Sequence, residues 1–427
     1  MPQKAKWTIL TYIAAHNNLD ILGKKSLQDI LAVGSTDEVM HGVLYDGHAG
    51  AGRYVMGEPG FVKDKEQEQL GVSFDSGDPD DLIATAKWLF QKYPAERYGL
   101  VLWSHGSGWE PAEIESIANE VRPEPNINAG ESHDRAAAPA SRCLFRSTLR
   151  TILKPQKSAE RAILFDDGTG HSLDTLELAR VSQTIADFIG RPLELLGMDA
   201  CLMANLEVAY EVRKGVRYLV ASEELVPGHS WPYGKIFGGL RANPDQSGAD
   251  LASFVVDRYV SFYTANPPSA GDVTKVALDL GRIEDLARAT DGLACALNSE
   301  MNKSADVIWE VQRGTRQRET DKGRRSPSKF DYYLWDIGSL ATELTKRCAS
   351  SAPIRKAASS IVQALTPGSA SVLAEGHRGP WFDGIGGVSA YLMPPKQQRI
   401  SPSYEKLAFA KDTHWAEMLR AYHQHFD

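Results

Sequence analysis

The sequence has few cysteines, no long apolar run and no excess of positive charge. Each of these absences argues against a class of protein. Its 427 residues include four cysteines, too irregularly spaced for a CxxC metal pair or a dense disulfide framework: Cys143, Cys201, Cys295 and Cys348. No segment reaches the ~18 continuous apolar residues of a membrane span. The formal charge of −8 argues against a surface that binds nucleic acid or anionic lipid as a whole.

An apolar run near the start, residues 7–15, follows Lys4 and Lys6 and so has the look of a short signal peptide. Its β-branched and aromatic residues, and the polar turn at 16–20, favour a buried first strand instead. We therefore expect a cytoplasmic protein that has no membrane partner.

Strand-like and helix-like segments alternate along the first half of the chain. Asp78 and Pro79 predict the start of a helix, because Asp caps free amides and Pro suits the first turn, and Pro94 predicts its end. This alternation predicts an α/β fold in which helices cover both faces of a mainly parallel sheet. The apolar runs predict strands at 7–15, 42–45, 52–56, 98–103, 193–198, 216–220 and 387–392, and helices at 249–265, 340–348 and the C-terminal end.

Two segments interrupt this pattern, residues 110–161 and 313–329, which are rich in Lys and Arg. Long irregular segments inside compact domains tend to be functional or disordered. Each segment is interpreted either as a solvated insertion or as a processing site or phosphate-binding patch. Nucleic acid is not the partner we expect.

Two of the predicted strands end in residues that carry chemistry. His105 follows the strand at 98–103, and Cys201 follows the strand at 193–198. Since the carboxyl ends of parallel strands form the ligand-binding edge of an open sheet, the two side chains can face each other there. A histidine next to a thiol can take its proton, and the Gly106 and Cys201 amides can stabilise an oxyanion. We also expect Cys201 to begin a helix whose dipole favours the thiolate.

Other interpretations of these residues remain open. Buried cysteine is often only a small apolar side chain. A serine hydrolase is a second alternative, with Ser230 in a nucleophile elbow, although Pro232 stands where that motif requires Gly. A third is a non-catalytic scaffold that binds partners through its basic segments.

The residues at both strand ends resemble the clostripain-type cysteine peptidases (family C11) of the caspase-like clan. The resemblance is carried by residues 105–109 (HGSGW) and 199–204 (DACLMA). Supporting stretches lie at 12–19, 93–95, 166–173, 221–224 and 404–419. It implies a caspase-like αβα sandwich with a C-terminal α+β extension. The implied domains are a catalytic domain over 1–250, interrupted by an activation loop at 110–161, and a region over 251–427 that packs on it.

Carried over residue by residue, the resemblance implies His105 as the base, Cys201 as the nucleophile and Asp199 as the carboxylate of the S1 pocket. The substrates would be proteins or peptides with Arg or Lys before the scissile bond, the P1 position. A carboxylate in a partly desolvated slot is suited to that choice; the alternative interpretation of Asp199 is a helix N-cap. Glu223 and Glu224 either add to the pocket or lie on a solvated face.

The resemblance also implies a zymogen, cleaved in the 110–161 loop by itself or by an upstream protease. The long basic loop and the expected cytoplasmic location lead to a separate hypothesis, that the protease acts within an intracellular stress or defence cascade. Basic residues in that loop supply the cleavage sites: Arg142, Arg146 and Arg150. Some relatives depend on Ca²⁺, and the acidic stretch at 166–174 is interpreted either as a calcium site or as a turn before a helix. We expect no required cofactor and no resident metal. His16 departs from the family pattern, in which an acid often stands there.

Overall fold

The structure, a computed structural model, describes residues 4–109, 163–266, 273–321, 334–379, 382, 384–395 and 400–426. The predicted activation loop at 110–161, with its candidate cleavage sites, lies outside the described residues. So does the second basic segment beyond residue 321. The first part of that segment, to Asp321, is the end of a helix, which its polar sequence did not predict.

A nine-stranded sheet forms the centre of the described fold, in the order β10-β8-β7-β6-β5-β1-β2-β3-β4. Strands β7, β6, β5, β1 and β2 run parallel, and the strands outside them are antiparallel to their neighbours. The predicted α/β fold with a mainly parallel sheet is therefore confirmed. The strands are β1 Ala5–Ala14, β2 Val39–Gly47, β3 Gly50–Met56, β4 Val62–Gly71, β5 Ala95–Trp103, β6 Leu193–Asp199, β7 Val216–Ala221, β8 Val273–Asp279 and β10 Val372–Arg378, with β9 Leu334–Asp336 and β11 Ser389–Tyr391 in a separate pair.

Helices cover both faces of this sheet and bury two apolar layers. Along β1, Trp7, Ile9 and Ile13 enter one layer, whereas Leu10 and Tyr12 enter the other, as the two-residue period of a strand requires. The helices are α1 Asp20–Val33, α2 Pro79–Lys92, α3 Thr175–Ile189, α4 Leu206–Val212, α5 Tyr233–Ala242, α6 Gly248–Ala265, α7 Ile283–Ser299, α8 Met301–Asp321, α9 Ile337–Arg347, α10 Ala352–Ala364, α11 Ala408–Asp412 and α12 Trp415–Gln424. Helices α1, α5 and α6 lie on the face of Trp7; α2, α3, α4 and α7 lie on the opposite face.

Local sequence signals account for several helix starts. The Asp78 carboxylate accepts hydrogen bonds from the amides of Asp80 and Asp81, so α2 begins at Pro79 as predicted. Asp174 and Glu177 form a reciprocal capping box at the start of α3, and Gly190 ends that helix in the left-handed conformation. The turn at 166–170 therefore precedes a helix, which is one of the two interpretations given above for the acidic stretch at 166–174.

The C-terminal part of the chain contributes to the same sheet. Strand β8 pairs with β7, and β10 pairs with β8, so both strands extend the sheet sideways beyond β7. The indole of Trp415, on α12, is fully buried and donates to the carbonyl oxygen of Tyr391 at 2.7 Å. This contact holds the predicted C-terminal helical cover against the core.

The boundary at residue 250 between a catalytic domain and a C-terminal region stays a prediction.

Among the described residues, no helix combines the length and the apolar character that crossing a bilayer requires.

Candidate functional site

The backbone register of β5 and β6 places His105 and Cys201 at equivalent positions. Trp103 pairs with Asp199 in these parallel strands, and the histidine and the cysteine each follow two residues later. The two segments touch beyond the strand ends, because a Cβ on Gly106 would lie 2.5 Å from the carbonyl oxygen of Cys201. Only glycine permits this approach, so position 106 requires a glycine for steric reasons.

His105 is held by a side chain that the sequence analysis did not identify. Its Nε2 lies 2.7 Å from Oδ1 of Asn18. An amide oxygen only accepts hydrogen bonds, so Nε2–H donates and Nδ1 is the nitrogen left to take a proton. The imidazole is buried, at 2% exposure, and burial lowers the pKa of His105 to about 3. It is therefore neutral at physiological pH.

Asn18 lies in a turn that its neighbour fixes in place. The Asn17 amide nitrogen donates to the carbonyl oxygens of Ala14, at 3.2 Å, and Phe165, at 2.7 Å. The Asn17 Oδ1 accepts from the Leu19 amide at 2.9 Å. These bonds connect the end of β1 to the chain that follows the 110–162 gap. The pair of asparagines directly after a buried strand was the sequence signal for this turn.

Cys201 lies in a bend rather than on a helix, which corrects the expectation of a helix dipole. Helix α4 begins at Leu206, where the Asn205 side chain caps it, and Leu202 adopts φ 64° in the left-handed region. The Cys201 Sγ accepts a hydrogen bond from the Val226 amide at 3.2 Å. Burial raises the pKa of the Cys201 thiol to about 11, against the lowering effect of that amide.

Asp199 is the last residue of β6, so the N-cap interpretation is wrong. Its carboxylate is 3% exposed, and Oδ2 accepts from the Ser230 hydroxyl, from the Trp231 amide at 3.0 Å and from the Tyr233 hydroxyl at 2.8 Å. Its Oδ1 has no hydrogen-bond partner among the described residues. Burial raises the pKa of Asp199, and the nearby charge of Lys275 lowers it. The side chain thus lies two residues before Cys201 with one carboxylate oxygen uncommitted.

A buried lysine close to this carboxylate was missed by the sequence analysis. Lys275, on β8, is 1% exposed, and its ammonium lies 4.0 Å from the ring centroid of Tyr259 and 5.0 Å from that of Trp231. Burial lowers the pKa of Lys275 to about 7, whereas Asp199 and Cys201 raise it. Its signal in the sequence was a charged residue within the mostly apolar segment 273–278.

Glu223 and Glu224 follow β7 as predicted, and both are buried, at 1% and 8% exposure, so neither lies on a solvated face. Their amides both donate to the Thr274 hydroxyl at 3.1 Å. The carbonyl oxygen of Glu224 accepts from the Leu202 amide at 3.2 Å. This loop therefore supports the bend that carries the cysteine.

Ser230, the residue of the serine-hydrolase alternative, is committed to other contacts. Its hydroxyl donates to Asp199 and accepts from the Trp103 indole at 2.7 Å. The imidazole of His105 is bound instead to Asn18. The Ser230 hydroxyl therefore donates to a carboxylate, and no histidine accepts its proton in this arrangement.

The acidic stretch at 166–174 contributes Asp166 to a cluster with His16 and Asp46. Their ligand atoms lie within 4.8 Å of one another. However, Asp166 already accepts hydrogen bonds from the amides of Gly168, Thr169 and Ser76 and from the Ser76 hydroxyl. Ca²⁺ takes six to eight oxygen ligands, and this set offers few free ones and includes an imidazole. The residues present do not fit a calcium site.

Both ends of the 110–162 gap are anchored next to the histidine. On one side, Trp109 is buried and its carbonyl oxygen accepts from the Thr175 hydroxyl at 3.0 Å. On the other, Ile163 is fully buried and bridges to Gly106 and to Leu173. The gap therefore begins and ends at the edge of the sheet that holds His105 and Cys201.

The chain is similar in sequence to known proteins. The sequence profile of the clostripain family, peptidase C11, matches residues 11–119 and 151–422. Clostripain from Hathewaya histolytica is 25% identical in an alignment of 256 residues that covers 53% of this chain. The match spans 40% of the length of that curated relative.

Two solved structures share the fold over nearly the whole chain. One is an inactive zymogen C11 protease from Parabacteroides distasonis, with a TM-score of 0.62 and 17% identity, covering 97% of this chain and 99% of that one. The other is a secreted C11 cysteine protease from Bacteroides thetaiotaomicron in complex with an irreversible peptide inhibitor, with a TM-score of 0.60, 17% identity and the same coverage. At these identities the likeness shows the fold, and it confirms the predicted caspase-like architecture.

Proposed function

Because this chain belongs to the clostripain family, peptidase C11, we propose that it is a cysteine endopeptidase with Cys201 as nucleophile and His105 as base. The strongest support is where the two residues lie. Each follows the paired residues Trp103 and Asp199 by two positions, and Gly106 packs on the Cys201 backbone. A thiol and an imidazole at one sheet edge are the groups that acyl transfer requires.

The chemistry follows from the tautomer that Asn18 imposes. Nδ1 of His105 takes the Cys201 proton, and the thiolate attacks the substrate carbonyl carbon to form a tetrahedral intermediate. The amides of Gly106 and Cys201 stabilise its oxyanion. The imidazolium then protonates the leaving amine, and water activated by the neutral imidazole hydrolyses the acyl-enzyme and restores the thiol. Asn18 acts as a positioning residue throughout.

The resting site is not an ion pair. Burial favours the neutral thiol of Cys201 and the neutral imidazole of His105, since it raises the pKa of the first to about 11 and lowers that of the second to about 3. A reactive thiolate needs a more polar or more open surrounding. This supports a precursor that gains activity after a change at the cleft.

Cleavage within 110–161, after Arg142, Arg146 or Arg150, is the change we propose, by the enzyme itself or by an upstream protease. Because Trp109 and Ile163 are both anchored, a cut between them would leave two fragments held by the same core. Intact-mass analysis of the fully active enzyme tests this: two fragments are expected, and full activity with an unbroken chain would exclude it.

The proposal also includes specificity for a basic P1 residue, and we assign that specificity to Asp199. Its uncommitted Oδ1 can accept from a guanidinium or an ammonium that enters beside Cys201. Asp199→Asn retains the shape of the side chain but removes the charge. We expect this variant to lose its preference for P1 Arg over P1 Gln in matched fluorogenic peptides; an unchanged preference would refute the role of Asp199.

The decisive test of the activity compares wild type with Cys201→Ala and His105→Ala on a library of fluorogenic peptides. Both variants should lose hydrolysis, with their circular dichroism and melting temperatures retained. An iodoacetamide and a fluorophosphonate probe separate the enzyme classes: labelling of Ser230 with an inert Cys201 would favour the serine hydrolase. Unchanged hydrolysis by Cys201→Ala would refute the cysteine assignment, and no hydrolysis by any processed form would favour a binding scaffold.

A cytoplasmic, regulatory role within a stress or defence cascade completes the proposal. The basic segment 110–161, a candidate site of regulation by cleavage, supports the regulatory part of this proposal. Cell fractionation tests the location, which is expected to be the soluble intracellular fraction. Accumulation in the culture medium would contradict it.

A further inference from the structure

Lys275 is a buried lysine at the same edge of the sheet as Cys201. It lies near the start of β8, whose Val276 pairs with Ala221 at the end of β7. Its side chain is 1% exposed, and Nζ has no hydrogen-bond partner among the residues that the structure describes. An isolated ammonium is costly to bury, so its position calls for a compensating charge or a function.

The groups that face Lys275 stabilise its cationic form, whereas burial lowers its pKa to about 7. Its Nζ lies over the rings of Tyr259 and Trp231, and each ring face attracts a cation. Trp231 also donates its backbone N–H to Asp199, at 3.0 Å. One residue therefore contacts both the cation and the carboxylate.

Lys275 and Asp199 lie on the same face of the sheet. Val273 and Ala277, which flank Lys275 at two-residue spacing on β8, belong to the apolar layer that contains Trp231. On β6, Gly197 lies under the Trp231 ring, two residues before Asp199. Both charged side chains therefore project into the layer covered by Trp231 and Tyr259.

Each member of this pair has an unused hydrogen-bonding atom. All three donors to Asp199 bind its Oδ2, and Oδ1 has no partner among the described residues. The negative charge of Asp199 acts on Lys275, and the positive charge of Lys275 acts on Asp199. When Lys275 is protonated, the carboxylate thus already has a resident counter-charge before any substrate arrives.

We propose that Lys275 is a specificity-determining residue, whose ammonium competes with a cationic P1 side chain for the charge of Asp199. This inference rests on the proposed function, in which Asp199 reads the P1 residue. Two cations beside one buried carboxylate repel each other strongly, because little water screens them. Lys275 therefore weakens selection for P1 Arg and lets the pocket accept neutral P1 side chains such as Gln.

The substitution Lys275→Met tests this, because it keeps an unbranched side chain of similar length and removes the charge. The measured quantity is the ratio of kcat/KM for a P1 Arg peptide to that for the matched P1 Gln peptide at pH 6, below the pKa of about 7 at which Lys275 loses its proton. We expect this ratio to rise about tenfold or more in Lys275→Met, as removal of a close like charge implies. An unchanged or lower ratio in a folded variant would overturn the proposal.

Lys235→Met is the matched control. Lys235 is also a lysine over an aromatic ring, with Nζ 5.4 Å from the Phe262 centroid, but its side chain is exposed. Its substitution should leave the Arg-to-Gln ratio unchanged. If Lys235→Met raised the ratio as much as Lys275→Met, the effect would come from the overall charge and the proposal would fail.

A binding measurement separates this proposal from the peptidase assignment. Agmatine, which presents an arginine-like guanidinium, is titrated calorimetrically into Cys201→Ala with and without Lys275→Met. The added substitution should tighten binding about tenfold or more, whether or not any peptide is hydrolysed. Equal binding, or no saturable binding by either protein, would overturn the role of Lys275. Failure of peptide hydrolysis with tighter agmatine binding would instead refute only the proposed function.

Discussion

Gly106 lies against the carbonyl oxygen of Cys201, and a Cβ at position 106 would come within 2.5 Å of that oxygen and 2.9 Å of the Ala200 Cβ. The backbone after the histidine and the backbone at the cysteine are therefore packed without space for a side chain. This contact lets two separate strand ends form one site.

Gly106→Ala should damage catalysis far more than folding. The new methyl group must move either the Gly106 amide or the Cys201 backbone, and both belong to the proposed oxyanion site. We expect kcat/KM to fall about a hundredfold, the effect typical of losing one oxyanion donor. The same substitution at Gly292, on the exposed side of α7 with no atom within 4 Å of the added Cβ, is the control. It should preserve activity and stabilise the fold by up to about 1 kcal/mol; full activity of Gly106→Ala would contradict the oxyanion role.

Asn18→Ala should lower kcat with little change in KM. The variant loses the acceptor that fixes His105 Nε2–H at 2.7 Å, so the ring can rotate or change tautomer. We expect a loss of about tenfold or more in kcat and an altered pH dependence of kcat/KM, because orientation of the base is lost. Asn302→Ala, at an exposed position on α8, is the surface control. A uniform rise in KM with unchanged kcat would indicate that Asn18 serves only substrate binding.

Alkylation of Cys201 in the uncleaved protein should depend steeply on pH. Burial raises the pKa of its thiol to about 11, so the reactive thiolate is scarce at neutral pH and increases as pH rises. Below that pKa the thiolate fraction, and the iodoacetamide rate, should rise about tenfold per pH unit. Cys295, whose side chain is exposed, is the internal control in the same peptide map and should react faster at pH 7. A rate for Cys201 that is flat between pH 6 and 9 would show a preformed ion pair with His105.

Lys275 should make the stability of the fold depend on pH in a defined direction. Burial lowers its pKa to about 7 from 10.5, so between these values the unfolded chain binds a proton that the folded chain has released. Stability of wild type relative to Lys275→Met should therefore rise as pH increases through this window, by at most about 1.4 kcal/mol per pH unit. The charged or titratable groups around it, Asp199, Cys201 and Tyr259, are present in both proteins. Urea unfolding at pH 7, 8, 9 and 10 measures the difference, and a constant or falling difference would refute the shift.

Much of the fold was predictable because its signals are local. Continuous apolar runs identified β1, β5 and β6, and the Asp78-Pro79 pair identified the start of α2. His105 and Cys201 were predictable because each directly follows such a strand. Their approach depends only on the parallel order of neighbouring strands, which strand–helix alternation already implies.

The rest of the site depends on information that is not local. Lys275 is a residue type that is mostly exposed, but β8 pairs with β7 and the helix α6 covers it, so the lysine is buried. Asn18 contacts His105 across 87 residues of sequence, and no local pattern encodes that contact. The expected helix at Cys201 was wrong because the left-handed Leu202 and the Asn205 cap delay α4 to Leu206.

The most direct test of the His105–Cys201 assignment is peptide mapping after labelling with an irreversible, thiol-reactive peptide probe. The account predicts one adduct, on Cys201, in the processed wild-type protein, and its loss in His105→Ala although the other cysteines remain accessible to iodoacetamide. Labelling at another residue, or undiminished labelling of Cys201 without the histidine, would contradict it.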